Sequence, residues 1–300
     1  AILGSPEIDI AKKAVIVMCA DNGVVAEGIS QSGQEITAAV TENLGKRNTS
    51  VCKMAKVVGA EIFPVDIGVN TDRIFPGVIS RKVKKGTNDF LLKPAMSERE
   101  AMQAVRVGME LVKECKEAGY TLLGTGEMGI GNTTTSSAVA SVLLGCDPLL
   151  VTGRGAGLSD SGLSRKLEAI KKAIKLHHPD PEDPLSVLSM LGGFDIAGMV
   201  GLYLGGALYQ VPVLIDGVIS SVAALLAVKI CPASKKAMLA THVSAEPAGC
   251  MILDAIGLEP MITAGMRLGE GTGALCAIPM LDMACSVYQG STFGELSIEA

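Results

Sequence analysis

The sequence predicts an α/β protein built on a doubly wound, mostly parallel sheet. Three observations carry that expectation. Short β-branched runs alternate with stretches of helical spacing, the pattern of a parallel sheet covered by helices. Three of those runs (14–20, 61–65 and 211–215) stop at an Asp shortly followed by Gly, and in such sheets ligands bind beyond the carboxyl ends of the strands. Finally, the 300 residues are 48% hydrophobic with a mean hydropathy of +0.41, enough apolar surface for a large core.

The elements follow in order. Residues 14–20 (AVIVMCA) read as a buried strand ending at the turn signal Asp21-Asn22-Gly23. Residues 37–58 have helical spacing, and 61–65 (EIFPV) form a second strand in which Pro64 suggests an edge position. Residues 74–93 are basic and non-periodic, an exposed excursion. Ser97 and Glu98 open a helix running to about Ala118, with Gly119 as its stop. Residues 120–123 form a third strand that delivers the chain to Gly124. Helices are expected at 132–144 and 165–176, another near Pro184, and a small-residue helix at 196–209 leads to the strand 211–215. No long linker interrupts this order, so a second domain has only chain ends or excursions to draw on.

Composition removes several function classes. Lys and Arg number 26 against 31 Asp and Glu, a net charge of −5, which disfavours sequence-independent nucleic-acid binding. Trp is absent and aromatics make up 3%, too few for base-stacking recognition. The longest uncharged apolar stretch, 199–215, contains three glycines, Gln210 and Pro212 and is too short for a membrane span. No charged segment precedes an apolar run at the N-terminus, so no signal peptide is visible. A cytoplasmic location is expected. The eight cysteines include no C-x-x-C pair and read as reduced buried thiols. Three histidines do not make a metal cage, and no metal site is expected.

The densest chemical signal is the run 124–137 (GTGEMGIGNTTTSS). A strand enters it and a helix leaves it, so glycine backbone N–H groups and a helix N-terminus converge on an anion, above all a phosphate. The run also fits G-x-G-x-x-G at 124, 126 and 129. A dinucleotide site would need an acid at the end of the next strand, whereas Asp147 precedes the apolar run 149–151, and Glu127 would repel a pyrophosphate. Glu127 and Glu270, the latter in Arg267-Leu268-Gly269-Glu270-Gly271-Thr272-Gly273, are carboxylates in glycine-rich settings, which suits acid–base or cation-stabilising work. Asp66 and Asp216 follow strands at the same expected sheet edge and are expected to cluster with both glutamates.

Four segments, in chain order, carry a resemblance: Gly126-Glu127-Met128-Gly129-Ile130-Gly131-Asn132-Thr133-Thr134, Gly192-Gly193-Phe194-Asp195-Ile196-Ala197, Asp216-Gly217, and 267–274. Together they resemble the nicotinate-nucleotide:dimethylbenzimidazole phosphoribosyltransferase family, which activates the lower-ligand base of cobalamin. Residues 152–166 and 241–246 look like two further family segments.

The resemblance implies displacement of nicotinate from C1′ of nicotinate mononucleotide by a ring nitrogen of a benzimidazole-like base, giving an α-riboside phosphate. It implies Glu270 as general base, Glu127 as stabiliser of oxocarbenium character or proton-transfer partner, and Lys166 as a lysine near the reaction. Gly129, Gly131, Asn132, Thr133 and Thr134 would hold the 5′-phosphate, with Asp216 and Ser244 as further nucleotide contacts, and Ser30, Gln34 and Met128 would shape the base pocket. No cofactor is implied: the donor carries a monophosphate, so no pyrophosphate–magnesium clamp is required. A homodimer is implied, as is a small helical domain to which 1–13 and 271–300 contribute beside a large domain of 14–270.

Two departures stand out. Asn22 occupies the place of the family's usual His, and only about thirteen residues precede the first strand, so the small domain is expected to be reduced or truncated. The polar loop 28–35 leaves adenine or a phenolic compound as alternative acceptors, and a non-catalytic nucleotide-binding partner is the rival class. Pure phosphate binding has no use for Glu127 and Glu270.

Overall fold

In a computed structural model the residues described are 2, 4–155, 157–288 and 290. Six strands, β1 (Lys13–Ala20), β2 (Ala60–Gly68), β3 (Ile79–Ser80), β4 (Leu122–Met128), β5 (Val213–Ile215) and β6 (Met238–Ala240), form one sheet in the order β3-β2-β1-β4-β5-β6. All five neighbouring pairs are parallel. The order reverses direction between β1 and β4, the switch point of a doubly wound sheet. A second parallel pair, β7 (His242–Ser244) and β8 (Ile262–Met266), continues beyond β6.

The helices are α1 (Glu35–Gly45), α2 (Ser50–Val58), α3 (Glu98–Glu117), α4 (Asn132–Leu144), α5 (Pro148–Val151), α6 (Asp160–His177), α7 (Pro184–Leu191), α8 (Phe194–Tyr209), α9 (Val218–Ile230), α10 (Ala248–Ile256) and α11 (Thr272–Tyr288). β1 shows why both faces need cover: every one of its residues is buried. Ala14, Ile16, Met18 and Ala20 pack into a core with α3, α4, α8 and α9, while Val15, Val17 and Cys19 meet α2 and α11 on the other face. A strand alternates its side chains, so a continuous apolar run marks a sheet buried on both sides. α3 is stopped from fraying by the reciprocal bonds of Ser97 and Glu100 at its N-terminus, and Asp183 caps α7 ahead of Pro184.

Three expectations are corrected. The helical segment 37–58 is two helices, because the chain turns at Arg47, which adopts φ 61°, and restarts at Thr49 in extended conformation. The third strand does not end at Leu123 but runs to Met128, so Gly124 and Gly126 lie within β4. The excursion 74–93 is not wholly exposed: Phe75 and Phe90 are buried, and residues 79–80 pair with β2. That pairing reaches only Val65 and Asp66, so at Pro64, whose missing N–H could not serve a ladder, β2 is the outer strand. β6, β7 and β8, with three to five residues each, are too short to show a period.

Of the segments expected to build a small helical domain, 272–288 forms α11. It packs on the large sheet through Ala274, Leu275 and Ile278. Residues 4–12 contain no helix, while 289 and 291–300 lie outside the described residues.

Candidate active site

A cleft of about 380 Å³ opens at the carboxyl ends of β4 and β5. Its walls come from the β4–α4 loop (Met128, Gly129, Asn132, Thr133), the turn after β5 (Asp216, Gly217), β7 and its exit (His242, Ser244, Glu246) and the loop before α11 (Arg267–Glu270). The β1/β4 crevice itself is filled. Asn22 sends its side-chain N–H to Ile130 O at 3.4 Å, and a Cβ on Gly129 would lie 2.8 Å from Asp195 Oδ2. The cleft is thereby displaced towards β5.

Gly126 holds the two glutamates together. A Cβ there would stand 2.6 Å from the carbonyl oxygen of Glu270, so the 269–271 loop can lie on β4 only because residue 126 has no side chain. On the other side, Glu127 Oε1 would be 2.8 Å from a Cβ on Gly269. Gly269, Glu270 and Gly271 all have positive φ, at 82°, 60° and 90°. For glutamate this is an uncommon conformation, of the kind that persists when the surroundings enforce it at functional sites. The second glycine of the apparent G-x-G-x-x-G therefore serves packing of the Glu270 loop, and the first lets Ala274 of α11 approach β4. Gly126→Ala is expected to push that loop off β4 and destabilise the fold by about 1–3 kcal/mol, measurable as a lower melting temperature together with loss of activity.

Asp216 fixes the same loop. Its Oδ2 accepts from Gly271 N at 3.1 Å, and its Oδ1 from Gly273 N at 2.7 Å and Ala274 N at 3.2 Å. Both oxygens are engaged in capping α11, the arrangement a carboxylate favours at a helix N-terminus. Burial raises its pKa, opposed chiefly by His242 nearby. Glu270 accepts from the Val51 N–H at the start of α2, which opposes the rise that burial causes. Its Oε2 is buried with no hydrogen-bond partner among the described residues.

Glu127 is almost fully buried, at 9% exposure. Burial, with the Asp195 charge next, raises it to about 8 despite a bond from Asn132. The Asn132 side-chain nitrogen donates both to Glu127 Oε2 and, at 2.9 Å, to Asp195 Oδ2. Lys166 is wholly buried; its Nζ donates to Thr133 Oγ1 at 2.9 Å and to Gly153 O at 3.1 Å. Burial lowers it to about 8, with Glu246 opposing.

Among the sequence-derived candidates, Glu127, Glu270, Asp216, Met128, Gly129, Asn132, Thr133 and Ser244 line the cleft, and Lys166 reaches it through Thr133. Others fall outside it. Gly131 is the left-handed N-cap of α4. Thr134 is completely buried, its hydroxyl without a partner among the described residues. The neighbouring hydroxyls turn inward: Thr135 donates to Asn132 O, and Ser137 to Thr133 O and Val151 O. Ser30 and Gln34 do not line the cleft; Gln34 bridges Asn22 O and Asn70. Asp66 sits at the end of β2 against Lys82, at 3.1 Å, apart from the glutamates. Among the described residues no group of three His, Cys, Asp or Glu side chains has the arrangement to hold a metal ion.

Asp195, His242 and Arg267 belong to the site or its support without having been singled out for a role by sequence. Asp195 had a signal: it is the one charge in the sixteen-residue helix FDIAGMVGLYLGGALY.

A family model described as phosphoribosyltransferase matches residues 1–298. The chain belongs to that family. Two curated relatives carry the name nicotinate-nucleotide–dimethylbenzimidazole phosphoribosyltransferase. The one from Acetivibrio thermocellus is 50% identical over 291 residues, and that from Ruminiclostridium cellulolyticum 48%; each alignment covers 97% of this chain and 83% of the relative. Among solved structures, CobT from Thermus thermophilus matches with a TM-score of 0.92 at 37% identity, over 97% of this chain and 87% of that one. Three of the four family motifs of the sequence thus fall on the walls of the cleft, the β4–α4 loop, the turn after β5 and the loop carrying Glu270, while the fourth, 192–197, supplies Asp195 behind Asn132.

Proposed function

We propose that this chain transfers the phosphoribosyl group of nicotinate mononucleotide to a benzimidazole-type base, 5,6-dimethylbenzimidazole or a relative, in this cleft. The observation that carries the reading is the pairing of two carboxyls, Glu127 and Glu270, in one cleft that Thr133 also lines, with the buried Lys166 donating to Thr133 from behind.

A ring nitrogen of the acceptor attacks C1′ from the face opposite nicotinate. The C1′–N bond breaks with its electron pair passing to the pyridinium nitrogen, so nicotinate leaves with a neutral ring and the product is the α-riboside. The acceptor's other nitrogen gives its proton to Glu270 Oε2, the carboxylate oxygen with no partner among the described residues. Positive charge developing on the ribose faces Glu127 at the floor of the cleft. The 5′-phosphate lies along the start of α4, where Thr133 and the Lys166 ammonium offer donors. Asp216 acts as a positioning residue that holds the Glu270 loop by its backbone.

Incubating the chain with nicotinate mononucleotide and a panel of bases, with products identified by mass spectrometry and NMR, tests this reading. An α-riboside phosphate of a benzimidazole plus free nicotinate is expected. Exclusive reaction with adenine or a phenol would reassign the acceptor, and donor binding without any transfer would favour the non-catalytic rival. The reading includes a homodimer in the cytoplasm. Light scattering is expected to give twice the 30.9 kDa chain mass; among the described residues no helix is long and apolar enough to cross a membrane.

A further inference from the structure

We propose that Asp195, which does not line the cleft, is a positioning residue for the transfer: through the amide of Asn132 it orients the Glu127 carboxyl, and its charge governs whether that carboxyl carries a proton. The proposal deepens the reading of the cleft as a phosphoribosyl-transfer site and rests on it.

The geometry is a chain of three buried side chains. Asp195 is completely buried, and Asn132 is 5% exposed. An amide nitrogen has two hydrogens, and here one goes to Glu127 and the other to Asp195. Glu127 therefore cannot turn without breaking a bond that Asp195 helps to aim. Asp195 itself stands in the first turn of α8, where backbone N–H groups and the positive end of the helix dipole favour its ionised form. Gly193 makes room for it, since a Cβ there would lie 2.5 Å from Asp195 Oδ1. A carboxylate buried in an otherwise uncharged helix carries a desolvation cost, which an apolar residue at that place would avoid.

Two carboxyls sharing one donor do not both ionise readily, and unequal surroundings divide the roles between them. The helix end assigns the charge to Asp195 and leaves the proton to Glu127. The directions agree: burial takes Asp195 to about 6 and Glu127 to about 8. The other groups facing Glu127 are Asp216 at the end of β5, Glu270 on its loop, and the Cys19 thiol of β1, which burial keeps protonated. Of the three carboxylates, Asp195 is the one joined to Glu127 through a shared donor.

The test needs no substrate, so it fails or succeeds independently of the transfer reaction. Infrared difference titration of the full chain detects the protonated Glu127 carboxyl, identified by the band lost in Glu127→Gln. Asp195→Asn, folded by circular dichroism, is expected to lower that band's midpoint by about one pH unit or more. Because the ionised carboxylate is the form that faces the developing positive charge, the acid limb of its kcat/KM profile should move the same way. A midpoint that stays in place in folded Asp195→Asn overturns the proposal. The unaltered chain gives a second reading that no folding failure can obscure. In carboxyl ¹³C NMR the Glu127 resonance is expected to show a smaller inflection at the midpoint of Asp195, and a single-step curve without it also overturns the proposal.

Discussion

Glu270→Gln is expected to lower turnover with 5,6-dimethylbenzimidazole by about 10²–10⁴-fold, the usual contribution of a positioned proton acceptor. The substitution keeps the shape of the side chain and removes only its basicity. Because Glu270 also accepts from the Val51 N–H, a purely structural role has a distinct signature. If the residue only tethered its loop to α2, the variant would lose donor affinity and melt earlier, with turnover changing in proportion to binding. As a base, it is expected to leave donor affinity and melting temperature nearly unchanged while turnover collapses. An N-methylated benzimidazole has no N–H proton to lose, so its reaction should be far less sensitive to the change. Steady-state kinetics with both acceptors separates the two roles, and near-full turnover with dimethylbenzimidazole would transfer the base assignment to Glu127.

The second large effect is expected at Glu127, and it has two opposite parts. Measured above pH 8, where the parent carboxyl is ionised, Glu127→Gln should reduce turnover by about 10²–10³-fold, the scale on which a group aimed at developing charge contributes. The same variant should be more stable than the parent in alkaline buffer. A carboxyl that holds its proton more tightly folded than unfolded favours the fold at low pH, and it loses that preference as pH rises from the ordinary 4.5 to about 8. Glutamine has no such slope. The difference in melting temperature should therefore be small at pH 5 and widest at or above pH 8, where it reflects on the order of a few kcal/mol. Equal melting temperatures across that range would mean that Glu127 ionises freely in the folded chain.

What the sequence made legible follows the length and regularity of each signal. The continuous apolar run of β1 announced a strand buried on both faces, and the Ser97–Glu100 pair announced the start of α3. Glu127 and Glu270 were visible as charges set among glycines. Illegible features share a tertiary cause. Gly124 and Gly126 have the composition of a loop yet sit within β4, because the approach of Ala274 to the first and of residues 270–271 to the second decides their place. The turn that divides α1 from α2 is the exception, a local signal in Gly45, Asn48 and Thr49 that the helical spacing on either side outweighed. The inward bonds of Thr135 and Ser137 could not be told from phosphate donors until the helix was in place. Asp216 looked like a ligand for the nucleotide, whereas the fold uses both its oxygens to cap α11.

The most direct measurement is a crystal structure of the chain soaked with nicotinate mononucleotide and dimethylbenzimidazole, or with the α-riboside phosphate. The 5′-phosphate is expected beside Thr133 at the start of α4, the ribose over Glu127, and a benzimidazole nitrogen within hydrogen-bonding distance of Glu270. A phosphate bound away from the 129–133 loop, or a base whose nitrogens face away from Glu270, would contradict the assignment of this cleft.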